Sequence, residues 1–149
     1  MAERTDPAKL CFGCGGENHR GLGLKFRLED GRAVAQFTPS LDLQGYPGIV
    51  HGGVLACVLD EAMGWATYWQ GRWGMTARMT TRFRRPVPLE EPLTATGWVV
   101  RDRGRILTVQ SELRSAEGRL LAQAEGTFVR VSEAQGEEMR RFYEGSAAR

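Results

Sequence analysis

The chain has 149 residues, 42% of them hydrophobic and 26% charged, which is ordinary for a globular protein and enough for one domain with its own core. A formal net charge of +2 is too small to indicate nucleic acid or a membrane surface as a partner. No apolar run approaches the ~20 residues of a membrane span, and the charged N-terminus lacks the apolar core of a signal peptide, so we expect a cytoplasmic protein.

The first predicted elements form a hairpin. Residues 1–21 are rich in glycine and are expected to be irregular. From Leu22 onward, apolar and charged residues alternate, which predicts a strand with an apolar face that includes Leu28. Asp30-Gly31 is a strong turn signal, so a return strand should pair with the first.

One long helix and four more strands follow. The helix, about residues 52–69, is apolar on so many sides that it must be covered on most of them. Strand patterns occupy 75–86, 93–101, 106–114 and 119–131, with short connections that favour antiparallel pairing. The sequence therefore predicts an α+β fold, a curved antiparallel sheet wrapped around the helix, with a second subunit closing the remaining face.

Two carboxylates interrupt this apolar helix. At 3.6 residues per turn, Asp60 shares a stripe of small residues with Gly64, whereas Glu61 falls in a more crowded neighbourhood near Trp65. A buried carboxylate costs several kcal/mol unless it is paired or hydrogen-bonded. Asp60 is therefore either a buried ion pair or dimer contact, or a general base or nucleophile beside a pocket.

The start of the helix favours the functional interpretation. His51-Gly52-Gly53 immediately precedes the apolar run, and glycines let a ligand approach the backbone closely. The first amides of a helix lack internal acceptors and carry the positive end of its dipole, so they can polarise a carbonyl. With Asp60 two turns further along, this combination is typical of acyl transfer to water.

At these residues the sequence resembles the hotdog-fold thioesterases of the phenylacetic-acid-pathway (PaaI-like) type. The matching elements are Gly48-x-x-His51-Gly52-Gly53, the acid Asp60 nine residues after the His, and the strand MTARMTTRFRRPVPL that contains Thr76. The N-terminal Cys-Phe-Gly-Cys-Gly run also resembles one subgroup of that family. The match covers about residues 11–131 and implies a hotdog domain over 22–131, preceded by an irregular segment and followed by a helical tail over 132–149.

The resemblance implies an enzyme that hydrolyses acyl-coenzyme A thioesters at the interface of a homodimer, with pairing of two dimers also possible. Carried over by position, Asp60 is the general base or nucleophile and the Gly52 amide polarises the carbonyl. His51 shapes the loop, and Thr76 holds water or substrate from the partner chain. Gly53, Glu61 and Gly64 are expected to line the substrate site.

One position departs from the family pattern. Many relatives carry an Asn six residues before the His, where this chain has Gly45, and the neighbouring Gln44 is expected to replace it because its amide offers the same groups. On the strand 75–86, Met75 and the other apolar residues are expected to face the helix. Arg82, Arg84 and Arg85 then bind the phosphates of coenzyme A, or form a solvated face or subunit contact.

The cysteines leave a further alternative. Cys11-x-x-Cys14, with His19 nearby, is found in zinc and redox sites, but structural zinc usually has four ligands, so a structural turn is the simpler interpretation. The odd cysteine count argues against a disulfide framework. We expect no metal and no cofactor.

Three other functions compete with hydrolysis. A hotdog dehydratase or hydratase needs a His base facing the substrate, whereas this chain has only His19 and His51. A non-catalytic acyl-CoA binder or ligand sensor would use the same fold. A purely structural dimer would leave Asp60 and the glycine tip without a role.

Overall fold

The computed structural model describes residues 7–147. A 3₁₀ helix, Pro7–Leu10, precedes the hairpin of β1 (Arg27–Glu29) and β2 (Arg32–Phe37), and a second 3₁₀ helix, Leu41–Leu43, leads to α1 (Gly52–Trp69). Strands β3 (Gly74–Phe83), β4 (Leu93–Asp102), β5 (Ile106–Ser115) and β6 (Leu120–Arg130) follow, and α2 (Glu133–Ala147) comes last. None of the helices in this range combines the length and the apolar character needed to cross a bilayer.

The strands form one six-stranded antiparallel sheet in the order β1-β2-β4-β5-β6-β3. The sheet curves around α1, which buries seven side chains against it: Leu55, Val58, Leu59, Ala62, Met63, Ala66 and Thr67. These positions recur with helical spacing on one face, while the two carboxylates lie off that face. The predicted α+β architecture, six strands around one long helix, is confirmed.

The first hairpin turns where the sequence predicts. Asp30 and Gly31 both have positive φ, 46° and 76°, as a two-residue type I′ turn requires. The first strand is shorter than expected, however, because the amides of Leu22 and Leu24 donate to the carbonyls of Phe12 and Gly13 in the N-terminal segment. Leu28 is 53% exposed, so its expected place on a buried face is wrong.

The edge strand β3 departs from simple alternation. A β-bulge between Thr76 and Arg78 leaves Ala77 without a partner on β6. Thr76 lies opposite the buried Phe128 and faces α1, whereas Met75 is 60% exposed. The prediction that Met75 faces the helix is therefore wrong, because the extra residue reverses the facing of the strand at this point.

The N-terminal segment and α2 meet on the side of α1 that the sheet leaves open. Residues 11–24 cross this side, and α2 packs against the first 3₁₀ helix. Between them and α1 lies a cavity of about 170 Å³ that contains an aromatic cluster. In this cluster, Trp73 lies 4.7 Å from Tyr68 and 5.3 Å from Tyr143 between ring centroids.

Gly97 on β4 allows the closest approach between the sheet and the helix. A Cβ at this position would lie 2.2 Å from the carbonyl oxygen of Ala62 in α1. We expect Gly97→Ala to destabilise the protein by about 3 kcal/mol, the upper end of the usual cost of overpacking, because the clashing atom belongs to a rigid backbone. Urea unfolding measures the change in the free energy of unfolding.

Gly136→Ala in α2 is the matched control. Its Cβ would meet Trp73 and Val131 at 3.6 and 3.8 Å, which are ordinary contact distances. We expect this variant to be unchanged or more stable by up to about 1 kcal/mol, as is usual for Gly→Ala within a helix. A Gly97→Ala protein as stable as the wild type would contradict the close packing of β4 on α1.

Candidate active site

His51 caps the N-terminus of α1 and fixes the loop before it. Its Nδ1 accepts a hydrogen bond of 2.9 Å from the Gly53 amide, and its carbonyl accepts from the amide of Val54. The His51 amide in turn donates to the carbonyl of Leu43. A neutral imidazole bonded in this way carries its proton on Nε2. The geometry is that of a residue that shapes the loop.

The Gly52 amide is left available by this cap. Within residues 7–147 the structure shows no acceptor for the Gly52 N–H, whereas the Gly53 N–H is occupied by His51. Gly52 is half-buried, and the end of the Phe83 ring lies 3.6 Å from the place of a Cβ on Gly52. An unpaired amide at the positive end of an 18-residue helix can stabilise negative charge on a bound oxygen.

The loop before the helix explains the departure at Gly45. A Cβ there would lie 2.9 Å from the Cα of His51, so the two backbones pack closely. Gln44 is exposed, and its side-chain oxygen accepts from the amide of Gly48, at 2.8 Å. This bond leaves the amide nitrogen of Gln44 as the group that could still contact a ligand.

Asp60 is bound by Thr76. The Thr76 hydroxyl donates to Oδ1 of Asp60 at 2.7 Å, within the same chain, and the bulge in β3 is what turns Thr76 toward the helix. Asp60 is only partly buried, and a Cβ on Gly64, one turn later, would meet nothing within 4 Å. The helix surface next to Asp60 therefore has room at Gly64.

Glu61 has a different environment from its neighbour Asp60. Burial raises the pKa of the Glu61 carboxyl to about 7. The Sγ of Cys11 lies 3.6 Å from Oε1 of Glu61, and Cys14 also lies within reach. Because the Cys14 thiol donates to the sulfur of Cys11, the pKa of Cys11 falls to about 5 and that of Cys14 rises.

Sequence reasoning missed this meeting of Glu61 with the two cysteines. The Cys-x-x-Cys spacing is visible, but nothing local in the sequence links it to a glutamate about fifty positions later. His19, which the sequence pairs with the cysteines, is exposed and lies outside the cluster that residues 7–147 form.

Arg82 lies near the end of β3, and Arg84 and Arg85 follow the strand, so all three are separated from Thr76, the neighbour of Asp60, by most of its length. Arg82 lines a groove on the outer face of the sheet, and Arg84 donates to Gln123 on the same groove at 3.3 Å. The amides of Arg84 and Arg85 both bond to the carbonyl of Leu121. Because Phe83 adjoins Gly52, Arg84 and Arg85 follow at the end of β3 nearest the tip of α1.

Asp60 and the Gly52 amide cannot act on one bound group within a single chain. They are eight residues apart on one helix, which corresponds to about 12 Å along its axis. A general base must come within about 3 Å of the water that it activates, next to the reacting carbonyl. Within one chain, these two candidate groups thus lie at separate places.

Comparison with known families identifies residues 47–122, half of the chain, as a match to the thioesterase superfamily. Among curated proteins, acyl-coenzyme A thioesterase THEM4 of Bos taurus is 34% identical over 87% of this chain and 54% of its own length. THEM4 of Rattus norvegicus is 30% identical over 74% of this chain and 50% of its own length. The chain therefore spans about half the length of these relatives.

Solved structures agree with this match. A thioesterase superfamily protein superposes with a TM-score of 0.74 at 42% identity, covering 77% of this chain and 60% of that one. The PaaI protein of the phenylacetic acid degradation operon of E. coli superposes with a TM-score of 0.70 at 25% identity, over 74% of this chain and 81% of its own. By its fold and its sequence, the chain belongs to the thioesterase superfamily and has the hotdog fold.

Proposed function

We propose that this chain hydrolyses acyl-coenzyme A thioesters to the free acid and coenzyme A. One observation carries the proposal: α1 presents an unpaired Gly52 amide at its positive end and an Asp60 carboxylate held by Thr76 on an open stripe. An amide that binds the thioester oxygen and a carboxylate that activates water or attacks the carbonyl are the two groups that acyl transfer to water requires.

Relatives support the substrate class. Acyl-coenzyme A thioesterase is the name of the curated relatives, and two solved structures with the same fold contain acetyl-CoA and coenzyme A. A hypothetical thioesterase of Streptococcus pneumoniae has also been solved as alanine variants of an aspartate and a threonine that are sixteen positions apart, the separation of Asp60 and Thr76.

In this proposal Thr76 is a positioning residue. Its hydroxyl occupies one carboxylate oxygen of Asp60 and leaves the other for water or substrate. His51 holds the loop through its bond from the Gly53 amide, and Gly53 and Gly64 leave room beside the helix. The side-chain N–H groups of Gln44 remain available to donate to the bound carbonyl or to water.

The active site forms between two subunits in this proposal. The separation of about 12 Å along α1 is bridged when a two-fold axis places Asp60 of one chain beside the Gly52 tip of the other. The edge strand β3 is the surface that we assign to this contact, because its ten residues end the sheet and expose Met75 and Phe83 at 60% and 55%. Pairing of two such dimers into a tetramer is compatible with this arrangement.

Asp60→Asn tests the catalytic assignment. The amide keeps the shape and the bond from Thr76 but cannot act as base or nucleophile, so we expect kcat to fall by about 10²–10⁴-fold with the fold intact. Thiol release from short, long and aromatic acyl-CoAs measures the rate. Glu61→Gln, a change of the adjacent carboxylate, is expected to cost far less.

Two outcomes would contradict the assignment. If Glu61→Gln alone abolished turnover, the wrong carboxylate would have been chosen. If the wild type released no thiol from any acyl-CoA but still bound these esters, the chain would be a non-catalytic acyl-CoA binder.

Gly52→Pro tests the oxyanion donor and the shared site together. Proline at the first helical position removes the N–H without disturbing the helix, and the ψ of 132° at His51 suits a residue before proline. We expect Gly52→Pro to be folded and inactive. When subunits of Gly52→Pro and Asp60→Asn are mixed and exchanged, heterodimers contain one intact site, so about a quarter of the wild-type activity should return. Mixtures that stay inactive despite exchange would place the site within one chain.

Arg84 and Arg85 are proposed to bind the phosphates of coenzyme A, with Arg82 as a further candidate. Replacing both Arg84 and Arg85 by Ala should raise KM for acyl-CoA roughly tenfold, the effect of losing one hydrogen bond to a charged group, and leave kcat unchanged. Acyl-pantetheine, which lacks the nucleotide, should be hydrolysed equally well by the wild type and by the double variant. Arg78→Ala, in the middle of β3, is the control. Equal KM increases for both substrates would overturn the assignment.

A further inference from the structure

Cys11, Cys14 and Glu61 form a compact cluster next to the proposed hydrolytic groups, and Gly64 lines the same cavity. The two sulfurs and one carboxylate oxygen all lie within 4.8 Å of one another. The Sγ of Cys11 and Oε1 of Glu61 are 3.6 Å apart. With zinc bonds of about 2.3 Å to sulfur and 2.0–2.2 Å to oxygen, two ligand atoms on a tetrahedron also lie about 3.6 Å apart.

The turn that holds the cysteines is built around these groups. The Gly15 amide donates to the carbonyl of Cys11 at 2.8 Å, which closes the turn that carries both cysteines. A Cβ on Gly13 would lie 2.5 Å from the carboxyl carbon of Glu61. Any larger residue at this position would displace the Glu61 carboxyl from its place under the turn.

The three groups of the cluster are all acidic, and their ligand atoms lie within 4.8 Å of one another. As two thiolates and a carboxylate they would repel one another at this distance, and a metal ion among them would remove that repulsion. A disulfide between Cys11 and Cys14 would remove the thiol donors and leave the buried carboxylate without them, which is costly.

We propose that Cys11, Cys14 and Glu61 bind one zinc ion, which fastens the N-terminal segment to α1. Two thiolates select zinc over magnesium or calcium, which prefer oxygen ligands only. All three ligands line the cavity beside the aromatic cluster, so a water molecule in this cavity would complete the tetrahedron. Binding releases the thiol protons, and any proton on Glu61, to solvent.

The site acts on structure in this proposal. Both cysteines and the α2 residues Met139 and Tyr143 border the same cavity, so a metal ion at its wall would join the N-terminal segment to α1 next to α2. Metal binding that needs the folded arrangement of its ligands stabilises that arrangement.

The test uses the whole chain with any purification tag removed, kept reduced with a reductant that does not bind metals. Zinc content is measured after purification without chelators, and the metal-free protein is titrated with Co²⁺. We expect about one equivalent of metal per chain, thiolate-to-cobalt charge-transfer bands, and the intense visible bands of tetrahedral Co²⁺. A chelator should lower Tm of the zinc-loaded protein.

Glu61→Gln and Cys14→Ser are the test variants, and Cys57→Ser is the control because it removes the third cysteine, which lies outside the cluster. We expect the test variants to bind metal at least ~10-fold more weakly, and the control to bind like the wild type. If Cys14→Ser does not fold, the wild type and Glu61→Gln still decide the matter.

Three results would overturn the proposal. The first is a wild type whose zinc content equals that of Glu61→Gln, and the second is a cobalt complex without thiolate bands. The third is a Cys11–Cys14 disulfide that forms when the zinc-supplied protein is moved to a buffer without reductant. Each readout is independent of thioester hydrolysis, so its outcome is separate from that of the proposed activity.

Discussion

The contact between β4 and the backbone of α1 at Gly97 is the constraint on which the rest of the structure depends. Because no side chain separates the two elements there, the helix lies deep in the curve of the sheet. Its large apolar residues are then enclosed, and Met63 in turn contacts Gly126 on β6. A helix fixed this closely holds every group on its surface at a set position, which is the requirement for placing reactive side chains.

The two adjacent carboxylates illustrate how position on one helix determines chemistry. A step of one residue turns the side chain by about 100°, from the open stripe beside β3 to the covered side beneath the N-terminal segment. Asp60 consequently accepts a hydrogen bond from a hydroxyl group and is partly exposed, whereas Glu61 is more deeply buried and lies beside two cysteine side chains. The same residue chemistry therefore serves a proposed hydrolytic role in one case and a proposed ligand role in the other.

Much of the fold could be predicted because its signals are local. The alternation of residues predicted the ends of the four long strands to within three residues, and the apolar run with its glycines predicted the position of α1. The Asp30-Gly31 turn required only that two successive residues accept positive φ. The candidate residues on α1 followed from helical spacing alone, and their family pattern gave Thr76.

What escaped prediction depends on contacts between distant segments. The alternation of residues gives no sign of the bulge at Ala77, so the prediction that Met75 faces the helix was wrong. The pairing of Leu22 and Leu24 with the N-terminal segment, in place of a longer β1, depends on how that segment folds back. The meeting of Glu61 with Cys11 and Cys14 is of the same kind, because its parts come from opposite sides of the hairpin in the sequence.

The bulge in β3 has a consequence for how the protein can vary. Strand lengths usually tolerate little change, since one residue more or less exchanges the two faces of everything beyond it. In β3 the two faces are exchanged only in the stretch before Arg78, and the pairing with β6 continues on both sides of the bulge. Substitutions before the bulge are therefore limited by the contact of Thr76 with Asp60. Substitutions after the bulge are limited by packing against the core.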